Sequence, residues 1–474
     1  MATTGEGAGA AAGSTPSPAA TRTFDRRVDL ALVGLAVLAG AIYLAIGPGL
    51  LMDDWWSLRN VAFGGPVDAA GSNQWLARPA TGAIYAFVFG VVGPHPAVGV
   101  AILGALQAVS AVLFHRLLRA FVSPALAATA AVVWLLLPNH TSLEVWMSAT
   151  NIAVSQVAVL VGALVLARAR AGIGWSLLAG ATFALAVLSY EAAAPMALAV
   201  AVAVPWLRRR SLPVALVAAA ALPVVLAGAW AWIHVNPAKR VSTTLVDLSP
   251  VLPANLGWGV APGGILAELL YVIGMVVIVA AAARLAVPAW RCWSGEEDWA
   301  VVAGVAVMVL GALPFVRYAF EPLGGGDREN YLAAFGGALV WAGGLRMLTR
   351  WSPRLWVAGL VGLAVLALPV RWQRWQLWHT AGQDAAAMTR EIADRGQATG
   401  RPVVVGPGPI VISNITAFDG SMNMEAGVQY AGSDPSLRIV LVDSEGALLA
   451  APPEDRVDLR TVSRLDDQAD PSDP

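Results

Sequence analysis

Residues 30 to 56 read LALVGLAVLAGAIYLAIGPGLLMDDWW. The uncharged run from Leu30 to Ile46 is 17 residues long, at the short end of the ~17–25 residues that cross a bilayer as a helix. It predicts a first membrane span, which ends just before two adjacent carboxylates, Asp53 and Asp54, with the indoles of Trp55 and Trp56 beside them. Charge at a bilayer surface is expensive to hold and in membrane proteins usually marks a working site. The plainer reading is that the aspartates cap a helix lying in the headgroups while the tryptophans anchor it as an aromatic belt.

Composition sets the class. With 57% hydrophobic and 13% charged residues and a mean hydropathy of +0.65, the chain lies far from the soluble average of about 25% charged. A polytopic membrane protein is expected, not a water-soluble enzyme. The net charge is -1, and the arginines are dispersed between apolar runs without forming a basic stripe, so nucleic acid is not an expected partner. Lys239 is the only lysine and Cys292 the only cysteine, which excludes an intramolecular disulfide. The Ala- and Arg-rich, Lys-poor usage suggests a high-GC bacterial genome and hence a bacterial plasma (inner) membrane.

Residues 1 to 21, rich in Gly, Ala, Ser, Thr and Pro, read as a disordered tail. Arg22, Arg26 and Arg27 then precede the first span without a cleavage site after it, which predicts a retained anchor with the N-terminus inside. The apolar segment from Ala80 to Val92 has 13 residues; as a helix it covers about 20 Å, short of the ~30 Å hydrocarbon core. It is expected to lie on the outer surface. Spans then fall near 30–46, 97–114, 121–137, 152–167, 173–190, 192–207, 212–234, 265–283, 299–316, 332–348 and 355–370. Inside segments hold fifteen arginines, from Arg22, Arg26 and Arg27 to Arg346, Arg350 and Arg354, against six cations outside: Arg59, Arg78, Lys239, Arg240, Arg317 and Arg328. The positive-inside rule favours this arrangement of eleven spans, with the C-terminus outside.

That topology places Asp53 and Asp54, Arg78, His140 and Glu144, Glu191, and Arg328 with Tyr331 on one outward face. Glu191 ends the fifth span beside Tyr190, Glu144 stands beside Trp146, and Arg78 precedes Pro79. Each has a bland counterpart, namely a solvated loop acid, an anchor to lipid phosphate, or for His140 a loop hydrogen-bonder. The inner arginines read as topogenic. Residues 22–370 are expected to form the membrane domain. Residues 371–474 differ in kind: Trp372, Trp375 and Trp378 leave the membrane at a spacing of three, on one helix face at the interface. An amphipathic helix to about Arg395 follows. Strand-like runs then span Pro402 to Val405, Ile410 to Ser413 and Leu437 to Val442, predicting a small α/β or β-rich outer domain with a disordered acidic end.

Several soluble chemistries are absent from the sequence. There is no phosphate-binding loop, since Gly324-Gly325-Gly326-Asp327 lacks the lysine and the preceding strand. There is no HExxH, CxxC or GxSxG, and the five histidines are scattered.

Taken together, MDDWW after the first span, WLARPATGAIYAFVFGVVGPHP from Trp75, LPNHTSLEVWMSATN ending at Asn151, SYEAAAP from Ser189 and DRENYLAAFGGALVWAG from Asp327 resemble the C-type (GT-C) glycosyltransferases. The protein O-mannosyltransferase-like and tetratricopeptide-associated mannosyltransferase branches are the nearest in feel. The resemblance covers most of residues 30 to 350. It implies an all-α polytopic fold with a juxtamembrane helix in the first outer loop. It also implies transfer of a sugar, mannose-like or arabinose-like, from a polyprenyl-phosphate donor to a glycan, lipid or protein acceptor on the non-cytoplasmic side. The family's first-loop carboxylate base falls on Asp53 or Asp54, with the first acid favoured, and its arginine-tyrosine stretch near the donor phosphate falls on Arg328 and Tyr331. The chain has Asp-Asp where many relatives have Asp-Glu, and Ser-Tyr-Glu where the tetratricopeptide branch has Ser-Lys-Glu; no tetratricopeptide array follows. No cofactor is certain, with a divalent cation (magnesium or manganese) left open.

The chemistry stands without the family. A lipid-linked sugar has its phosphate at the interface, so its catalytic groups must be anchored at that depth. A carboxylate there can deprotonate the acceptor hydroxyl, and a guanidinium is well shaped to stabilise the departing phosphate. The competing class, a transporter, flippase or polymerase of lipid-linked envelope sugars, should carry ionisable groups near the midplane and paired repeats, and the spans show neither. The enzyme reading requires Asp53 or Asp54, Glu191 and Arg328 to stand around one outward cavity, and side chains pointing to separate surfaces would end it.

Overall fold

A computed structural model describes residues 18–168, 172–207, 214–234, 295–315, 328, 330–349, 352–406, 411–412, 415–416, 418, 421–442 and 445–459. The expected span at 265–283, the loop at 235–264, and Arg317 and Asp327 lie outside these residues. The chain is mostly helical. Among the described residues five helical segments are long and apolar enough to cross a membrane: Arg22–Ile46, Pro96–Leu118, Met147–Arg168, Glu296–Phe315 and Pro353–Thr399. Shorter apolar helices cover Pro79–Val92, Pro124–Leu136, Ile173–Ser189, Glu191–Pro205 and Leu216–Ala231.

The first helix, α1 (Pro18–Ile46), starts inside the stretch expected as tail. It stops at Gly47, whose φ of +103° suits glycine, and Gly49 lies so close to the backbone of Gly382 that a Cβ would stand 2.6 Å from its Cα. These two glycines let the chain turn tightly against the late helix and enter α2 (Asp53–Gly64). Two further short helices, α3 (Gly71–Ala77) and α4 (Pro79–Phe87), complete the first loop. The expected surface segment at 80–92 is α4 followed by one wide turn, Val88–Val92.

The bundle continues with α5 (Pro96–Leu118), α6 (Pro124–Leu136), the single turn α7 (Ser142–Val145), α8 (Thr150–Arg168), α9 (Ile173–Ser189), α10 (Ala194–Leu207) and α11 (Val214–His234). It closes with α12 (Glu296–Ala312) and α13 (Ala333–Thr349). The last two pack backbone to backbone: a Cβ on Gly336 would stand 2.4 Å from the carbonyl oxygen of Gly304. Small residues permit such approach where no hydrophobic force separates helix from lipid.

At one end of the bundle, polar groups from α1, α5 and α8 interlock. His115 Nδ1 lies 2.9 Å from Asp29, Arg119 donates to Asp25 at 2.9 Å, Arg116 pairs with Asp29, and Arg168 donates to the Arg116 carbonyl at 3.0 Å. Arg116 and Arg119 are therefore paired with acids rather than serving only as topogenic charges.

Helix α14 (Pro353–Thr399) has 47 residues, about 70 Å of helix, more than twice the hydrocarbon thickness. It carries the chain from the bundle to a small sheet of β1 (Val403–Val405), β4 (Ile439–Leu441) and β5 (Arg456–Val457), parallel and in the order β4-β1-β5. A two-stranded antiparallel pair, β2 (Val411–Ile412) and β3 (Ile415–Thr416), stands beside it. Helices α15 (Ser421–Ala431) and α16 (Glu445–Ala450) fill the intervals. Of the three tryptophans expected on one interfacial face, Trp375 and Trp378 are buried and only Trp372 is exposed. A spacing of three falls about 60° short of a full turn at each step, which carries Trp378 round toward the protein.

Candidate functional site

The site starts from a strained residue. Met52, just ahead of α2, holds φ 47° and ψ -120°, a conformation that costs a non-glycine residue about 1–3 kcal/mol and persists only where surroundings impose it. Met52 occupies the N-cap position and no side chain caps the helix, which corrects the capping reading of the aspartates. Asp54 is instead fully buried. Its Oδ2 accepts from the Leu51 N–H at 3.1 Å, and its Oδ1 accepts from Ser148 N–H at 2.8 Å and Ser148 Oγ at 2.5 Å. Burial pushes the Asp54 carboxyl up to about 7; these hydrogen bonds oppose that and the neighbouring Asp53 charge adds to it. Asp53 is half-buried and accepts from Asn423 Nδ2 at 3.2 Å. The two adjacent acids thus differ: Asp54 ties α2 to the 142–151 segment, while Asp53 is the more accessible.

Contacts run from Asp54 toward the other candidate residues. Tyr85 of α4 donates to the Ser148 carbonyl at 2.8 Å. Burial, then the Asp53 and Asp54 charges, raise its hydroxyl, and Arg78 pulls the other way, so one phenol senses both acids and the arginine. Arg78 forms a two-armed ion pair with Glu191, and its guanidinium lies 5.1 Å from the Tyr190 ring centre. Burial disfavours the Arg78 charge, but the Glu191 carboxylate outweighs it and holds the guanidinium above its ordinary range. Tyr190 meets Tyr331 edge-on at 5.6 Å. Arg328 lies 5.1 Å over the ring of Trp146, whose Nε1 donates to the Leu51 carbonyl at 3.3 Å. Arg78, Glu191 and Tyr331 thus gather around Tyr190, Arg328 is linked to Asp54 through Trp146 and Leu51, and Asp53 beside Asp54 reaches Asn423.

His140 and Glu144 instead face α14, where Glu144 pairs with Arg371 and accepts from Trp375 Nε1 at 3.2 Å, and Arg374 donates to the Pro138 carbonyl. His140 is buried and stacked on Trp134 at 4.9 Å, with its Nε2 3.8 Å from Glu144. Burial first, then Arg371 and Arg374, lower its basicity far below the ordinary range. The 139–151 segment thus has two faces, one fastening α14 and the other holding Asp54.

Helix α15 covers α2 from the outside. The Tyr430 ring lies 6.4 Å from that of Trp55, and Arg59 Nε donates to Gln429 Oε1 at 2.8 Å. Trp55 is buried at 4% exposure, and Trp56 packs over Gly71; both indoles meet protein, so the aromatic-belt reading does not hold for Trp55. Ser148, Tyr85, Tyr190, Arg371 and Asn423 were not singled out from the sequence. Tyr190 adjoins Glu191 and could have been found with it, whereas Ser148, Tyr85 and Asn423 are neutral residues with no patterned spacing. Among the described residues no group of three or more His, Cys, Asp or Glu side chains gathers as a metal site.

No protein-family model matches the chain, and no curated protein matches it in sequence. Solved structures are similar to it at low identity. The archaeal oligosaccharyltransferase AglB from Archaeoglobus fulgidus, in complex with an inhibitory peptide and a dolichol-phosphate, overlaps at a TM-score of 0.40 and 11% identity over 85% of this chain and 64% of that one. ArnT from Cupriavidus metallidurans, bound to undecaprenyl phosphate, overlaps at 0.41 and 14% identity over 92% of this chain and 90% of that one. A second structure of the Archaeoglobus oligosaccharyltransferase, with zinc and sulfate, gives 0.40 and 14%, over 85% of this chain and 62% of that one. The chain therefore spans less than two thirds of the oligosaccharyltransferase chains. At these scores the likeness is a loose correspondence of helices, and the functional reading rests on the chain's own residues.

Proposed function

We propose that this chain is a membrane glycosyltransferase that moves a sugar from a polyprenyl-phosphate donor to an acceptor hydroxyl on the outer face of a bacterial plasma membrane. Asp53 is the general base. The observation that supports the reading is that half-buried Asp53 opens α2 beside a buried and committed Asp54, and that its charge acts on the same Tyr85 phenol as those of Asp54 and Arg78.

In this mechanism Asp53 takes the proton of the acceptor hydroxyl as its oxygen bonds to the anomeric carbon. The bond from that carbon to the phosphate oxygen breaks, and polyprenyl phosphate leaves with the electron pair. Arg328 meets the developing phosphate charge, while Glu191 orients Arg78 beside it. One displacement inverts the anomeric centre. The sugar is mannose-like or arabinose-like, the acceptor a glycan, lipid or protein, and the polyprenyl tail sits among membrane lipids. The membrane domain is residues 22–370, carried by about eleven spans with the N-terminus cytoplasmic, and residues 371–474 form the extracytoplasmic domain. Of the two aspartates, Asp53 would be the one to face a divalent cation, since Asp54 is buried and already accepts from Leu51 and Ser148.

The test is transfer in proteoliposomes supplied with polyprenyl-phosphate mannose or arabinose and an envelope extract. Asp53→Asn should lose about 10²- to 10⁴-fold while remaining folded. Wild-type turnover by that variant would end the reading.

A further inference from the structure

Asn423 stands where α15 presses on α2. Gly427, one turn on, is so close that a Cβ there would lie 3.3 Å from the Trp55 ring and 2.7 Å from the Thr389 methyl group. Within this interface Asn423 is 2% exposed and donates from Nδ2 to Asp53 Oδ1 at 3.2 Å. Its own Oδ1 is buried and meets no donor among the described residues. A buried acceptor without a donor costs folding energy, and an apolar side chain of similar shape would avoid that cost. A residue chosen only to fill this interface would therefore not be asparagine.

We propose that Asn423 is a positioning residue for Asp53, so that the C-terminal segment completes the site rather than only covering it. The proposal rests on the reading of Asp53 as base. The α2 backbone is fixed by Asp54 and by the strained turn at Met52, which leaves the Asp53 side chain with its own two torsions. A hydrogen bond to Oδ1 holds those torsions and leaves Oδ2 to accept the proton of the acceptor hydroxyl. A reacting group must be held to within about 0.5 Å of its working position, and a displacement near 1 Å costs about 100-fold in rate. Because the donor sits 370 residues from the carboxylate it holds, catalysis depends on α15 being docked.

Asn423→Leu removes the donor and the stranded acceptor together. Its thermal midpoint should match or exceed that of wild type. Turnover of polyprenyl-phosphate mannose or arabinose should fall about 10- to 100-fold in kcat with the donor KM unchanged, a split that a purely structural role would not produce. Asn423→Ala, which leaves space instead of filling it, should show the same kcat loss and stands in if the leucine variant does not fold. Independently of turnover, Arg59→Cys with Gln429→Cys should be joined by a short bis-maleimide and stay active. Wild-type kcat in a folded Asn423 variant, with Asp53→Asn inactive, would overturn this inference alone, as would failure to cross-link. Full activity in Asp53→Asn would remove the base and the inference with it.

Discussion

Arg78 and Glu191 stand 113 positions apart in the chain and meet through both arms of the guanidinium. One opens α4 and the other opens the turn after α9, so the pair ties the loop between α1 and α5 to the bundle. The side chains keep 16% and 31% of their exposure, enough for partial screening, yet burial makes either charge costly without the other.

A double-mutant cycle on this pair is therefore predicted to show coupling. Arg78→Gln and Glu191→Gln should each lower stability, and the double variant should cost less than their sum by about 1–3 kcal/mol. Chemical or thermal unfolding in detergent measures this. Additive effects would mean that the two groups act separately.

This pair also marks what was legible in the sequence. Charges next to apolar runs stand out, and Asp53, Asp54, Arg78, Glu191 and Arg328 could each be named from their position; the structure pairs Arg78 with Glu191 and links Arg328 through Trp146 to the turn that holds Asp54. Glu144 and His140 carried the same signal and belong to a different place, because a sequence shows that a charge is unusual but not which partner answers it. Arg371, which pairs with Glu144, sits among tryptophans at an expected membrane boundary, where basic residues are unremarkable. Helix α15 was missed because Ser421 to Ala431 contains a glycine, an asparagine and a serine and has no clear apolar stripe, so its helicity comes from packing on α2 and α14.

Glu144→Gln is predicted to be a stability variant. It leaves Arg371, 4% exposed, without its counter-charge, and removing one partner of a buried pair costs about 3–5 kcal/mol. The thermal midpoint should drop clearly while turnover per folded molecule stays near wild type. Loss of turnover at unchanged stability would return Glu144 to the substrate site.

Arg328→Lys keeps the charge and loses the planar fork that can grip two phosphate oxygens. Transfer should fall at least tenfold with the yield of folded protein unchanged. Wild-type turnover would remove Arg328 from the leaving-group side.

The last prediction separates Asp54 from Asp53 by its response to pH. An acid whose carboxyl is raised in the folded state, here from 3.8 to about 7, favours folding while protonated. That contribution is whole below the unfolded value near 4 and is lost as pH climbs through about 7. Raising a carboxyl by one pH unit on folding corresponds to about 1.4 kcal/mol, so the loss approaches about 4 kcal/mol at most. Asp54→Asn carries no charge at any pH and gives up only the Leu51 hydrogen bond, which the amide cannot reproduce. The stability gap between wild type and Asp54→Asn should therefore shift in favour of the variant as pH rises from 5 to 8. Unfolding midpoints of the two proteins at matched pH measure this. A gap constant across that range would show that Asp54 stays ionised in the fold and is held by its three donors.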